Sequence, residues 1–211
     1  MIRTDNNRLF FGNYIDADVK LIDIQDYLED VNKFIKRKKR YKEKKFKDSI
    51  FKNVALNMFS ESFSSILFES VLISAWVFME SEFKGYCNAM RSAKNIDLLY
   101  SDLTGSAIDR FKNYTLKVVK LDFRLEDKNW EDLKAINEIR NSLIHGVVEK
   151  KTLINSFGKR NKLPGLLNGD VIILNEDNLK IIITICRLFL ERIYAVALET
   201  FPGQYGPESN A

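Results

Sequence analysis

An all-α helical bundle with one small β ornament is the fold that three features of this sequence predict. Glycine and proline are scarce, 9 and 3 in 211 residues, which argues against collagen-like, low-complexity and turn-rich all-β chains. Apolar side chains recur at three- and four-residue steps through long stretches, the period of a helix. Only one short run, residues 171–174 (Val-Ile-Ile-Leu), has β character. The length suits one domain, or one domain with a long extra element, and is ample for a hydrophobic core.

Taken in order, residues 1–15 show no clear period and read as irregular. From Asp16 the pattern turns helical through Val19, Ile22, Ile24, Leu28, Val31 and Ile35, and helix-favouring Lys and Arg extend it to about Lys47. Phe34, Ile35, Tyr41 and Phe46 are its apolar contacts. A second long helix covers about 50–92, where Phe59, Phe63, Ile66, Ser70, Ile73 and Val77 recur at helical steps. Its broad apolar face belongs in the middle of a bundle. Glu69 and Glu80 fall in this apolar setting, where a carboxylate sits at a helix edge or pairs with a base.

Asp102 or Thr104 opens a third helix of about 105–120, with Ile108, Phe111, Leu116 and Val119 on its apolar side. Asn129 offers an N-cap oxygen to a fourth helix, with Glu131 and Asp132 in the first turn where the macrodipole favours negative charge. That helix runs to His145, and Gly146 is its stop. Residues 150–169 read as a basic, Gly- and Asn-containing loop. Residues 171–174 form one arm of a small hairpin whose other arm the sequence leaves unplaced. Asn175 or Asp177 caps a final helix to about Phe201, with Leu179, Ile182, Ile183, Cys186, Phe189, Leu190, Ile193 and Ala197 inward. The expected organisation is an N-terminal segment with a long basic helix over 1–48, a helical bundle over 49–201 and a tail of disordered composition over 202–211.

Several function classes are disfavoured at this stage. Cys87 and Cys186, far apart, make neither a disulfide framework nor a zinc site, and free thiols fit a reducing cytoplasm. The first ten residues lack the basic-then-apolar layout of a signal peptide. Residues 66–79 are apolar but short and carry Glu69, and 181–198 carry Arg187, Glu191 and Arg192. Neither provides the ~20 apolar residues of a membrane span. A soluble, cytoplasmic protein without a membrane partner is expected.

The net charge of +4 is unevenly spread: ten of the 33 basic residues fall within 33–47, against Glu43 alone. Lys36, Arg37, Lys38, Lys39 and Arg40 form its densest part. Such a run is either a solvated helix face or a surface for a polyanion such as RNA.

Phosphate-cradling glycine loops, His/Cys metal spacings and glycine-flanked nucleophilic serines are missing, so neither a metal nor a cofactor is called for. What remains is Arg140-Asn141-Ser142-Leu143-Ile144-His145, ending on the chain's one histidine. On a helical wheel with Asn137 at 0°, Ile136, Ile139 and Leu143 fall between about 200° and 260° and form a core stripe with Leu133. Asn141 lies at about 40°, His145 at about 80° and Arg140 at about −60°. Arg140 and His145 are thus about 140° apart with a rise of about 7.5 Å, and do not aim at one point unaided. Arginine's reach, or a second copy of the helix across a two-fold axis, would bring them together. Spacing alone leaves two readings open. His145 can be a helix-end residue that suits the dipole, Arg140 an ion-pair partner of Glu69 or Glu80, and Asn141 a backbone ligand. Alternatively the three form a reaction centre.

The segment Glu138-Ile139-Arg140-Asn141-Ser142-Leu143-Ile144-His145-Gly146 resembles the R-N-x-x-x-H form of the R-x4-6-H motif of HEPN (higher eukaryotes and prokaryotes nucleotide-binding) domains. The order of elements is similar too: an aromatic-rich helix (Ala75-Trp76-Val77-Phe78-Met79-Glu80-Ser81), a shorter helix, the motif helix opened by Trp130, then a last apolar helix. The likeness covers roughly residues 50–200. It implies a HEPN-like bundle and metal-independent RNA cleavage, with a toxin or antiviral defence role and an active site completed across a homodimer.

By that resemblance Arg140, Asn141 and His145 are the catalytic residues. His145 moves protons, imidazole being the side chain that ordinarily titrates near neutrality. Arg140 binds the phosphate and its developing charge, and Asn141 orients either. An antitoxin or regulatory protein is a further partner such a role implies. Members controlled by a nucleotidyltransferase carry a tyrosine two positions after the histidine. Val147 stands there in this chain, so that control does not carry over. The competing expectation is a non-catalytic HEPN-like module that binds a partner, a nucleotide or RNA.

Overall fold

Helices form most of the chain, as their scarcity of breakers and their apolar periods require. The computed structural model describes residues 3–163 and 165–200. Among these are α1 (Arg3–Lys45), α2 (Lys52–Met58), α3 (Ser64–Lys94), α4 (Ala107–Asn113), α5 (Asp127–His145), α6 (Lys151–Arg160) and α7 (Glu176–Thr200), with a hairpin of β1 (Leu167–Asn168) and β2 (Val171–Ile172) before α7. The fold is all-α with a two-stranded ornament. No helix among the described residues is long and apolar enough to cross a membrane. The expected tail at 202–211 lies outside the described residues.

Several of the sequence expectations need correction. Helix α1 starts at Arg3 rather than Asp16; once a helix is nucleated, each further residue adds a hydrogen bond cheaply, so weak formers such as Asn6, Asn7 and Gly12 are carried along. The inward face of α1 holds Ala17, Leu21, Leu28 and Val31, whereas Val19 and Ile22 are exposed; the segment carries two apolar stripes, and the heptad-spaced one is buried. The cap of α4 is Ser106, whose hydroxyl accepts from the Asp109 amide at 3.2 Å, because the Asp102 carboxylate is occupied by the Leu99 amide at 2.8 Å. Helix α5 begins at Asp127, which puts Asn129 inside the first turn rather than at the cap. The second long helix appears as α2 and α3 joined through a π-helical turn, Phe59–Phe63, the single-turn form in which such geometry usually occurs.

The chain divides into two compact units. Among the described residues, one comprises 3–20, 78–130 and 186–200. Its centre is aromatic: the Phe111 ring stacks on Phe83 at 4.6 Å and lies parallel to Phe123 at 5.8 Å, while Trp130 meets Phe189 edge-on at 5.3 Å. Such pairs add roughly 0.5–1.5 kcal/mol each beyond area burial. Several polar atoms in this core are matched. Tyr86 donates to the Ile193 carbonyl at 3.1 Å, Arg192 Nε to the Phe123 carbonyl at 3.0 Å, and Tyr194 to Glu82 Oε2 at 2.8 Å. Cys87 and Cys186 are both free and buried, and burial pushes the Cys186 thiol up to about 12.

Burial also raises the Glu82 carboxyl, against the lowering effects of the Tyr194 hydrogen bond and the nearby Lys20 ammonium. A carboxyl whose folded pKa exceeds its unfolded value binds its proton more tightly in the folded state, so stability falls as pH rises through that window. Glu82→Gln keeps an acceptor for Tyr194 and removes the charge. We expect it to melt higher than the wild type at neutral pH, with the gap closing as pH falls toward the ordinary 4.5 of a glutamate. Melting curves across pH 3.5–8 check this, and a pH-independent gap would contradict it.

The second unit comprises residues 21–77 and 131–185. Leu21, Leu28 and Val31 of α1, Phe68, Val71, Leu72 and Trp76 of α3, Leu133, Ile136 and Ile139 of α5, and Leu179, Ile182 and Ile183 of α7 form its buried faces. Helix α6 occupies the stretch that the sequence presents as a loop. It buries Ile154 and Phe157 and is tied to the start of α5 by Asp132, which accepts from Arg160 Nε at 2.9 Å and from Asn161 Nδ2 at 3.2 Å. Beyond it, β1 and β2 pair antiparallel with Leu167 opposite Ile172. Their two-residue Gly169-Asp170 turn uses a glycine at φ +61°, the left-handed conformation that tight hairpins require. Asn175 caps α7 by accepting from the Asn178 amide at 2.8 Å.

Asp132 is buried, and removing its carboxylate leaves the partly exposed Arg160 guanidinium with Glu131 alone, 3.2 Å from its Nη1. Asp132→Ala is expected to cost about 1–3 kcal/mol, the scale of losing charged hydrogen bonds to one partner. A urea midpoint within error of the wild type's would show that α6 is held by apolar burial alone.

Candidate active site

The last three turns of α5 carry the Arg140–His145 group, and the helix is oriented by the residues between its polar positions. Leu133, Ile136 and Ile139 are fully buried, which fixes the helix about its axis and turns Asn137, Arg140 and Asn141 to partly exposed positions. Ser142, also buried, donates to the Glu138 carbonyl one turn back at 2.8 Å. The helix stops where expected. Gly146 takes φ +71°, and its amide still reaches the Ser142 carbonyl at 2.8 Å, so glycine makes the left-handed C-terminal residue.

Arg140 and Asn141 are brought together: Arg140 Nη1 donates to Asn141 Oδ1 at 2.9 Å. The guanidinium does not take Glu69 as its partner. Glu69 instead accepts from the Ser65 hydroxyl at 2.6 Å. Arg140 Nε is buried and has no hydrogen-bond partner among the described residues, a situation that costs roughly 1–3 kcal/mol when nothing compensates it. His145, the final residue of α5, stands exposed. Within one chain the histidine and the arginine are therefore not joined by a hydrogen bond. The geometry is that of a helix surface presenting a braced guanidinium and, more than a turn further on, an imidazole. Ile144 and Val147 beside the histidine are also exposed, at 46% and 59%.

Two supporting residues escaped the sequence reading. Glu138 is buried, and Lys150 Nζ lies 3.2 Å from its Oε2. This pair links the chain after Gly146 back to α5. The helical wheel held a signal for it, since Glu138 falls at about 100°, close to the azimuth of His145 and two turns below it.

The basic run stands where the sequence puts it, on the C-terminal part of α1, with Arg37, Lys38, Lys39 and Arg40 exposed. Lys36 is engaged elsewhere, 3.7 Å from Glu176. Among the described residues no group of three or more His, Cys, Asp or Glu side chains is placed to hold a metal ion. Comparison of the chain with protein-family models, with curated proteins and with solved structures finds no match to any of them.

Proposed function

We propose that the chain is a HEPN-type endoribonuclease acting as a homodimer, in a toxin or antiviral defence role. The observation that carries this reading is the state of Arg140. Its guanidinium is braced by Asn141, and a guanidinium held by a neutral amide keeps its positive charge for an incoming anion. The motif resemblance supplies the anion as an RNA phosphate.

The chemistry then follows from the side chains. The ribose 2′-hydroxyl attacks the adjacent phosphorus, forming the 2′-O–P bond while the P–O5′ bond breaks. His145 moves protons in this step, taking one from the 2′-hydroxyl or giving one to the departing 5′-oxygen, with water serving the other transfer. Arg140 neutralises the charge that grows on the non-bridging oxygens, and Asn141 holds the guanidinium plane. The products are a 2′,3′-cyclic phosphate and a 5′-hydroxyl. The 140° between Arg140 and His145 on one helix is the reason for invoking a second copy, and the exposed Ile144 and Val147 supply an apolar margin for it to cover.

The test is the dependence on the attacking group. RNA should be cut in the presence of EDTA and leave cyclic phosphate ends, and the same sequence with 2′-O-methyl riboses should stay intact. Cleavage of the methylated strand would rule out this mechanism.

A further inference from the structure

The end of α1, the π-helical turn after α2 and the ring-bearing residues between them form a cleft of about 540 Å³ within the second unit, lined among others by Lys38, Lys42, Phe46, Met58, Phe59 and Phe63. We infer that this cleft is a binding site for single-stranded RNA, with a base stacked against the Phe63 ring and the flanking phosphates held by Lys38 and Lys42. It rests on the ribonuclease reading for the choice of RNA as the strand, and it adds a site away from α5 that determines which RNA is held.

The walls and the rim ask for different things. Phe59 and Phe63 stack at 5.2 Å, and Phe34 lies 6.0 Å from Phe63. Phe63, which lines the cleft, is nevertheless 38% exposed, and Phe34 beside it 41%, so the Phe63 side chain is within reach of a flat partner. Lys42 Nζ stands 5.1 Å from the Phe59 ring centre and Lys38 Nζ 5.4 Å from that of Phe34. The same rings that offer a stacking surface thus carry an ammonium group beside them, and these two lysines belong to the run with ten bases and one acid.

An occupant must therefore bring flat π-faces and regularly spaced negative charge together. Single-stranded nucleic acid does so in every repeat, through base–aromatic stacking and phosphate contacts. A duplex hides the base faces, and a second copy of this chain would set two strongly cationic helix ends against each other. The cleft volume lies within the range of sites that enclose small groups.

Binding is measured apart from cleavage, so the two readings fail separately. The probe is a fluorescein-labelled 2′-O-methyl oligouridine of about 15 nucleotides, long enough for one such site, followed by anisotropy at several salt concentrations. The wild type should bind with a linear dependence of log affinity on log salt. Phe63→Leu should weaken binding at least about fivefold at every salt, the lower end of the loss of one stacked base, while Phe63→Tyr restores it. Lys38→Gln with Lys42→Gln should reduce the salt slope by about 1.4, or 0.7 per phosphate. Far-UV circular dichroism checks that each variant is folded. The inference is overturned if Phe63→Leu binds like the wild type, if a duplex of equal length binds as tightly, or if the protein ignores the oligomer and instead sediments with phosphatidylglycerol vesicles.

Discussion

Arg140→Met is expected to abolish RNA cleavage while leaving the protein at least as stable as the wild type. The two halves of this result come from the same atom. Arg140 Nε is buried without a hydrogen-bond partner among the described residues, so replacing the guanidinium with an apolar group of similar length removes a desolvated donor and keeps the packing of the stem. The expected gain is about 1 kcal/mol, read from the urea midpoint. Removing the group that meets the transition-state charge lowers cleavage by about 100- to 1,000-fold, the scale of losing one such donor. A structural arginine behaves in the opposite way: its loss destabilises, and activity falls only as far as folding does. Arg140→Met that is unstable but still cuts RNA would assign the residue to the fold.

Mixing two inactive variants should restore activity. In a site that takes Arg140 from one protomer and His145 from the other, a heterodimer of Arg140→Ala and His145→Ala subunits contains one intact site and one doubly damaged one. Random reassociation places half of the subunits in such heterodimers, so the mixture should recover about a quarter of wild-type activity, as two-fold symmetry requires. Neither variant alone should exceed background. Restoration should also depend on time and temperature, because the parent dimers must first exchange subunits. If the arginine and histidine of one chain serve the same reaction, no mixture of these variants regains activity.

The parts of this fold that were legible in the sequence are those where local pattern and tertiary demand agree. In α7 all eight residues expected to face inward are buried, because a long amphipathic period leaves one solution. The end of α5 at His145 and Gly146 was legible for the same reason, glycine being the residue that tolerates the positive φ found there. Helix α6 was not. Asn155, Ser156 and Gly158 give it weak helix propensity, and its helical state is supported by burying Ile154 and Phe157 and by the grip of Asp132 on Arg160 and Asn161, none of which is local.

The candidate site was legible only as a list of residue types. Sequence spacing set Arg140, Asn141 and His145 on one helix, but left open whether a carboxylate would claim the arginine. Side-chain placement, which the sequence does not carry, gives the guanidinium Asn141 as a hydrogen-bond partner. The stacked rings near Lys38 and Lys42 were hidden for a different reason. Phe59 and Phe63 read as core positions of the second long helix, and their approach to α1 depends on the connection between α1 and α2, where neither helical nor strand period constrains the chain.

The central claim is that His145 takes part in RNA cleavage, and the most direct measurement compares purified wild type with His145→Ala on a mixed RNA pool in EDTA, with the product ends analysed. His145 is an exposed terminal helix residue, so the substitution should leave the circular dichroism spectrum and dimer mass unchanged. The account predicts cleavage by the wild type with 2′,3′-cyclic phosphate ends, and a loss of at least about 100-fold in the variant, the lower end of what general acid–base catalysis contributes. Equal cleavage by a folded His145→Ala protein would contradict it.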